Sequence, residues 1–318
     1  MPGLFILSLD TEIAWGTYGE KALLSRRASF DQDRALIRRL LDLLDHYQIP
    51  ATWAVVGHLF LDQCDGHPDV LQPHYGWADQ PDSRRDPCTD IQRNPWYYGA
   101  DIIAAIRGAK TTHEIGTHTF THVMAGDPAV TPEIWVSQMK KIVELHAEHG
   151  LAVRSIVYPQ NKIKYVEGLP DYGIIAYRGD ERNWHSGLPG QLHRGMHLVD
   201  YTLGLRPPTY DLTTLRAGDR LVNLPASQFL MGYDGVRRFI PLASRVREAR
   251  LGLDQAERLD QLYHLWFHPF NLGSSEEMFT GLEAILKEAA MRRDQGRLRV
   301  MTMEQAAGWI LDGMPGHE

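Results

Sequence analysis

Disulfide chemistry is nearly absent from this chain. Two cysteines, Cys64 and Cys88, in 318 residues cannot frame a fold of this length, and they fit a reducing compartment. No apolar run is long enough to span a bilayer. The first ten residues carry no basic segment, and their apolar stretch stops at Asp10, short of a secretion signal. A cytoplasmic location is the expectation. Excess positive charge is missing too: 33 Lys+Arg stand against 40 Asp+Glu, a formal charge of -7, so no global basic field favours nucleic acid or an anionic membrane. Internal repeats, low-complexity tracts and Pro/Gly/Ser linkers are also lacking, and a single domain over residues 1–318 is expected.

What is present is a rhythm. An apolar strand over residues 4–9 is followed by an amphipathic helix over 32–48, with Leu36, Ile37, Leu40, Leu41, Leu43 and Leu44 at helical spacing. A buried strand over 51–57, a helix near 99–109, a strand over 113–117, a helix over 131–148 and a strand over 155–158 come next. The pattern returns with a strand near 262–267, a helix at 275–292, a strand near 297–301 and a helix over 303–312. Strand and helix in alternation predict parallel pairing with crossover helices. No Gly-rich phosphate fingerprint follows the first strand, so an α/β fold of the β/α-barrel kind, open or closed, is favoured over a doubly wound sheet. Residues 62–98 and 179–250 break the rhythm and read as insertions.

Active sites of such barrels gather at the C-terminal ends of strands. The first strand ends Asp10-Thr11-Glu12, and residues two apart on a strand point the same way. His118 and His122 lie four apart after the strand at 113–117, and a helical turn there would put both imidazoles on one face. His268 stands at the end of an apolar strand, and Tyr158-Pro159 closes another. One carboxylate and two histidines suit a divalent metal, with a further carboxylate and histidine left for proton transfer: the minimum set for metal-assisted hydrolysis of an amide or ester. Glu12, His118 and His122 suit the metal role, Asp10 and His268 the proton roles.

The constellation resembles the polysaccharide deacetylase family, the NodB-homology carbohydrate esterases. Ser8-Leu9-Asp10-Thr11-Glu12 is similar to the family's first motif in its spaced Asp-x-Asp/Glu form, although adjacent Asp residues are commoner. Ala51-Thr52-Trp53-Ala54-Val55-Val56-Gly57 is similar to its Ala-Thr-Phe-Phe-Val-x-Gly strand. His113-Glu114-Ile115-Gly116-Thr117-His118-Thr119-Phe120-Thr121-His122 resembles His-Glu-Ile-Gly-x-His-(Ser/Thr)-x-x-His, the most specific match. The last motif has Leu-x-His where this chain has Leu-x-x-His268. The resemblance covers roughly residues 4–178 and 262–312. It implies a distorted (β/α) barrel of about seven strands, a divalent metal held by Glu12, His118 and His122, Asp10 as base and His268 as acid. Zn2+ is the expected metal, with Co2+, Ni2+ or Mn2+ as alternatives. The implied reaction removes an N- or O-acyl group from a sugar.

The family usually supplies an Arg that holds the catalytic Asp from its third motif, which has none here. Arg178 at the next strand end is the expected substitute, and Arg154 the weaker one. A cytoplasmic location points to biosynthetic precursors, such as a nucleotide- or lipid-linked amino sugar carrying acetyl or formyl. Arg237, Arg238, Arg245, Arg247 and Arg250 form a basic cluster that could dock a diphosphate or a membrane surface. Tyr158, Pro159, Trp96, Trp184 and Asn183 are candidate pocket walls. Cys64, His67, His74 and Cys88 fit no tight zinc spacing, so no second metal site is expected among them. The rival readings are a ureide-type amidohydrolase and a catalytically inactive carbohydrate-binding relative.

Overall fold

The structure is a computed structural model that describes residues 2–77, 86–182, 204–233 and 235–314. Its spine is β1 (Gly3–Thr11), every residue of which is buried. Parallel strands β2 (Thr52–Val55), β3 (Glu114–Thr117), β4 (Ser155–Val157) and β5 (Ala176–Arg178) follow on one side and β9 (Gln261–Phe267) lies on the other, giving the order β9-β1-β2-β3-β4-β5. β10 (Leu298–Met301) runs parallel to the first half of β1, over Gly3–Ile6, while β2 pairs with Ser8–Thr11. Helices α1 (Glu20–Tyr47), α2 (Ala100–Arg107), α3 (Pro132–Glu148), α4 (Leu242–Leu259), α5 (Glu276–Asp294) and α6 (Met303–Leu311) accompany the strands. No helix among the described residues is long and apolar enough to cross a membrane.

The sheet curls into a distorted barrel, and one extended segment spans its remaining gap. Val222 and Leu224 donate backbone N–H groups to Ile175 and Tyr177 beside β5, at 2.9 Å each. Further along the same segment, Ser227 and Leu230 donate to His264 and Trp266 of β9, at 2.8 and 2.9 Å. The short strands β7 (Val222–Asn223) and β8 (Gln228–Phe229) are the two halves of this segment. β6 (Tyr210–Asp211) is an antiparallel addition to β9. Ten strands are therefore present among the described residues instead of about seven. Seven positions run around the barrel, the extra strands arising because β7 and β8 share one position, β10 shares an edge of β1 with β2, and β6 lies outside β9.

Two elements differ from sequence expectation. α1 begins at Glu20, well before residue 32, because residues 20–31 are helix formers that stay largely exposed and so carry no apolar stripe for periodicity to detect. α4 begins inside the supposedly irregular stretch 179–250 and runs on to Leu259, its arginines masking an apolar face of Val246, Ala249, Leu253 and Ala256.

Period-2 alternation explains how the barrel makes a site. On β1, Phe5, Leu7 and Leu9 pack with α1, α4 and α5, while Leu4 and Ile6 join Ala54, Val157, Ala176, Val222 and Leu262 inside, where α6 contributes Met303, Ala306, Ala307 and Ile310. Further along that same inner face come Ser8 and Asp10, and on β9 Leu262 is followed by His264, Trp266 and then His268. The interior thus changes from apolar to polar toward the C-terminal ends of the strands. α6 is fixed by a capping box in which Gln305 N–H donates to Thr302 Oγ1 at 3.2 Å and Thr302 N–H to Gln305 Oε1 at 3.1 Å.

Candidate active site

Glu12 is the hub. Its Oε1 lies 3.0 Å from His118 Nε2, 3.0 Å from His122 Nε2 and 3.3 Å from His268 Nε2. Glu12, His118 and His122 are buried, whereas His268 retains 18% side-chain exposure. His118 Nδ1 donates to the Val157 carbonyl at 2.8 Å, which leaves Nε2 of a neutral ring as a bare lone pair. Tyr18 OH donates to the His122 carbonyl at 2.8 Å and stands 3.2 Å from His122 Nδ1, placed to accept from it. Two lone pairs and a carboxylate oxygen thus face one another at hydrogen-bond range. That donor set fits a divalent cation, and Glu12, His118 and His122 are the residues able to hold it.

The histidine pair reaches this position without a helix. His118 ends β3 in a bend, Thr119 and His122 both take positive φ, 61° and 59°, and Thr119 Oγ1 accepts from Val123 N–H at 2.6 Å. Left-handed backbone at a β-branched residue is costly. Ile13, Gln160 and Asn161, in the loops after β1 and β4, share that conformation, so strained positions concentrate where strands open onto the site.

Asp10 is gripped by Arg178 in a two-pronged pair, Nη1 to Oδ1 at 2.7 Å and Nη2 to Oδ2 at 2.8 Å. The arginine also donates to Ser8 Oγ at 3.1 Å and Asn161 Oδ1 at 3.3 Å, and its guanidinium lies 4.0 Å over the Trp266 ring. Burial alone would raise the Asp10 pKa, but Arg178 and then His118 hold it below the ordinary value. Burial likewise opposes His268 protonation, but the Glu12 and Asp10 charges raise its pKa above the ordinary histidine value. Arg154 is turned elsewhere, to Gly173 O at 3.2 Å and Glu304 at 3.7 Å.

Sequence reasoning missed the supports beneath these residues. His264 links Ser8 Oγ, 2.9 Å from Nε2, to the Leu224 carbonyl, 3.0 Å from Nδ1. Burial drives its pKa down to about 3. Asp33, on α1, is buried with Oδ1 unpartnered, and burial raises its pKa to about 7. Their period-2 and helical positions were available signals, but neither carries a motif.

The wall candidates fare unevenly. Tyr158 is a core aromatic stacked on Trp135 at 5.8 Å, with its hydroxyl unpartnered, and the buried Pro159 opens a turn after β4. Trp96 packs on Phe30 of α1 and donates to Asp31 at 2.8 Å, so its contacts lie with α1 instead of the cluster. Trp184 and Asn183 lie outside the described residues. Of the arginine cluster, Arg245 is buried and donates to the Met231 and Arg237 carbonyls at 2.7 and 2.8 Å, which removes it from any docking surface. Arg237 instead lines a cleft of about 640 Å³ together with Arg26, Phe229, His268 and Phe270.

No protein-family model matches the sequence, and no curated protein matches it. Solved structures do. A protein from Mycobacterium smegmatis assigned as a polysaccharide deacetylase superposes with a TM-score of 0.61 at 17% identity, covering 98% of this chain and 92% of that one. The chain carries the fold of the polysaccharide deacetylases. A second such assignment, from Pseudomonas aeruginosa PAO1, gives 0.59 at 11% identity over 98% and 93% of the two chains. The Puue allantoinase gives 0.59 at 11% over 96% and 90%. Proteins assigned as polysaccharide deacetylases and an allantoinase thus share this fold.

Proposed function

We propose that the protein is a metal-dependent hydrolase that removes an N-acyl group, acetyl or formyl, from an amino sugar or glycan precursor. The observation that carries this reading is the convergence of three imidazole Nε2 atoms on one Glu12 oxygen, beside an aspartate clamped by a buried arginine. Glu12, His118 and His122 hold the cation, with Zn2+ the best match to an N2O donor set. Such an ion polarises a carbonyl and lowers the pKa of water. Asp10, kept ionised by Arg178, takes the proton from the attacking water, and the two-pronged grip fixes which way its carboxylate faces. His268, kept protonated by the neighbouring carboxylates and partly exposed to the cleft, gives a proton to the departing amine.

The cleft beside His268 supports the substrate class. Arg26 lies 4.3 Å over Phe270 and Arg237 lies 5.6 Å over Phe229, so two guanidinium groups and two aromatic faces line the approach. That lining suits a sugar bearing an anionic group such as a nucleotide or lipid diphosphate. The shared fold with an allantoinase supports the second reading, a ureide amidohydrolase. The test is acyl release by the Zn2+-loaded protein from nucleotide-linked and lipid-linked N-acyl amino sugars, run beside cyclic and linear ureides. Turnover of the sugars alone supports the proposal. Turnover of ureides alone replaces it with the rival, and tight sugar binding without release by the metal-loaded protein marks an inactive binding relative.

A further inference from the structure

The sequence offered no second metal site among Cys64, His67, His74 and Cys88. The structure gathers a different quartet, keeping two of those residues and adding His58 and Asp86. We propose that His58, Cys64, His67 and Asp86 form a second, structural zinc site that clasps the 62–98 insertion onto the barrel.

His58 belongs to the short turn Gly57–Phe60 directly after β2, Cys64 and His67 lie on the outgoing arm of the insertion, and Asp86 on its return. The arms are aligned by backbone bonds, Cys64 N–H to Thr89 O at 2.9 Å and Ile91 N–H to Asp62 O at 2.8 Å. Asp86 Oδ2 is 3.2 Å from His58 Nε2, 3.3 Å from Cys64 Sγ and 3.6 Å from His67 Nε2, and Cys64 Sγ is 3.6 Å from His58 Nε2. Tetrahedral zinc, with bonds of about 2.1 Å to N and O and about 2.3 Å to S, separates its ligands by roughly 3.4–3.7 Å. Four of the six donor pairs therefore already stand close to that spacing, and all four donors lie within 4.8 Å of one another.

The proton inventory points the same way. His58 Nδ1 donates to the Tyr97 carbonyl at 2.9 Å, which a carbonyl can only accept, so Nε2 of the neutral ring presents a lone pair to the Asp86 carboxylate. His67 Nε2 is buried and has no hydrogen-bond partner. Cys64 and Tyr98 each have one proton to give; they reach Asp86 Oδ1 at 3.4 Å each, and neither satisfies both rings. A dication satisfies all four donors at once. On binding, Cys64 would release its thiol proton to solvent and form the sulfur–zinc bond. The Tyr97 carbonyl supplies the outer support that orients a ligating histidine. Four protein donors leave no open position, so the site is structural. Trp15, three residues beyond Glu12, packs at a tilt against His58 with ring centroids 4.7 Å apart and donates to Tyr97 O at 3.1 Å, tying the clasp to the loop after β1.

The proposed catalytic cluster contains no sulfur, so cobalt separates the two sites. The full-length protein reconstituted with Co2+ is expected to show thiolate-to-cobalt charge-transfer absorption and to bind a second equivalent of metal. Glu12→Ala/His118→Ala should lose one equivalent and keep the absorption. Cys64→Ser should lose the absorption, Cys88→Ser should keep it, and His67→Ala, read by metal content alone, should drop to one equivalent. A wild-type protein without the absorption overturns the proposal, as does absorption that survives Cys64→Ser and vanishes in Cys88→Ser. An absorption present in a wild-type protein that binds nothing at Glu12 would sink the hydrolase reading and leave this one standing.

Discussion

The two histidine–carboxylate clusters use nearly the same residue types and are built in opposite ways. The Glu12 cluster collects its members from the segments that directly follow β1, β3 and β9, elements spread across the whole chain. The His58 cluster takes everything from residues 58–86. One presents three protein donors beside a clamped aspartate and a cleft; the other closes four donors around a point. Openness, more than composition, separates a site that can hold substrate from one that can only hold chain.

The sharpest way to break this comparison is at the strand ends. His118→Ala or Glu12→Ala is expected to reduce acyl release by about 10³-fold or more, the loss of metal chemistry, while the cobalt–thiolate absorption stays intact. If turnover survived, the Glu12 cluster would be the structural one. Next comes the Asp10–Arg178 pair. Asp10→Asn should lower kcat by about 10²–10⁴-fold with metal content unchanged. Arg178→Met leaves a buried carboxylate unpaired and should cost about 3–5 kcal/mol of stability in urea titration. At the clasp, zinc at a hundred times its dissociation constant contributes about 2.7 kcal/mol. His67→Ala should abolish that zinc-dependent gain and raise amide exchange across 62–98.

Acid sensitivity is tested by a buried histidine in neither cluster. His146 donates from Nδ1 to the Ile142 carbonyl at 2.9 Å and packs at a tilt against Phe60, ring centroids 4.6 Å apart, and burial lowers its pKa to about 4. The unfolded chain binds this proton more readily than the native state, so stability is full above pH ~6.5 and falls as pH drops toward ~4. Its slope is at most about 1.4 kcal/mol per pH unit. Urea midpoints between pH 7 and pH 4 should flatten in His146→Phe; an unchanged slope would assign the acid sensitivity to other groups.

The legible part of the site follows from periodicity. Asp10 and Glu12, and the strand end that delivers His268, could be placed because alternation along a buried strand needs only neighbours in sequence. Arg178 was legible only as the missing partner of Asp10. The HxxxH pair was found by spacing, but its helical rationale fails against the left-handed turns at Thr119 and His122. Asp86 and His58 were invisible as ligands because the loop between β2 and α2 brings them together, and no local pattern encodes that closure. The β7–β8 segment was equally hidden: its strands have two residues each, too short for any pattern to emerge.

The shared edge of β1 bears on how the protein is made. As the chain leaves the ribosome, the Gly3–Ile6 half of that edge cannot be covered until residues 298–301 emerge, and the opposite edge waits for residues 261–267. The earliest and most apolar strand is therefore among the last to be fully paired, a topology of distant contacts that favours slow folding and prolonged exposure of a sticky edge. Expression is accordingly expected to depend on chaperone supply and on an intact C-terminal strand.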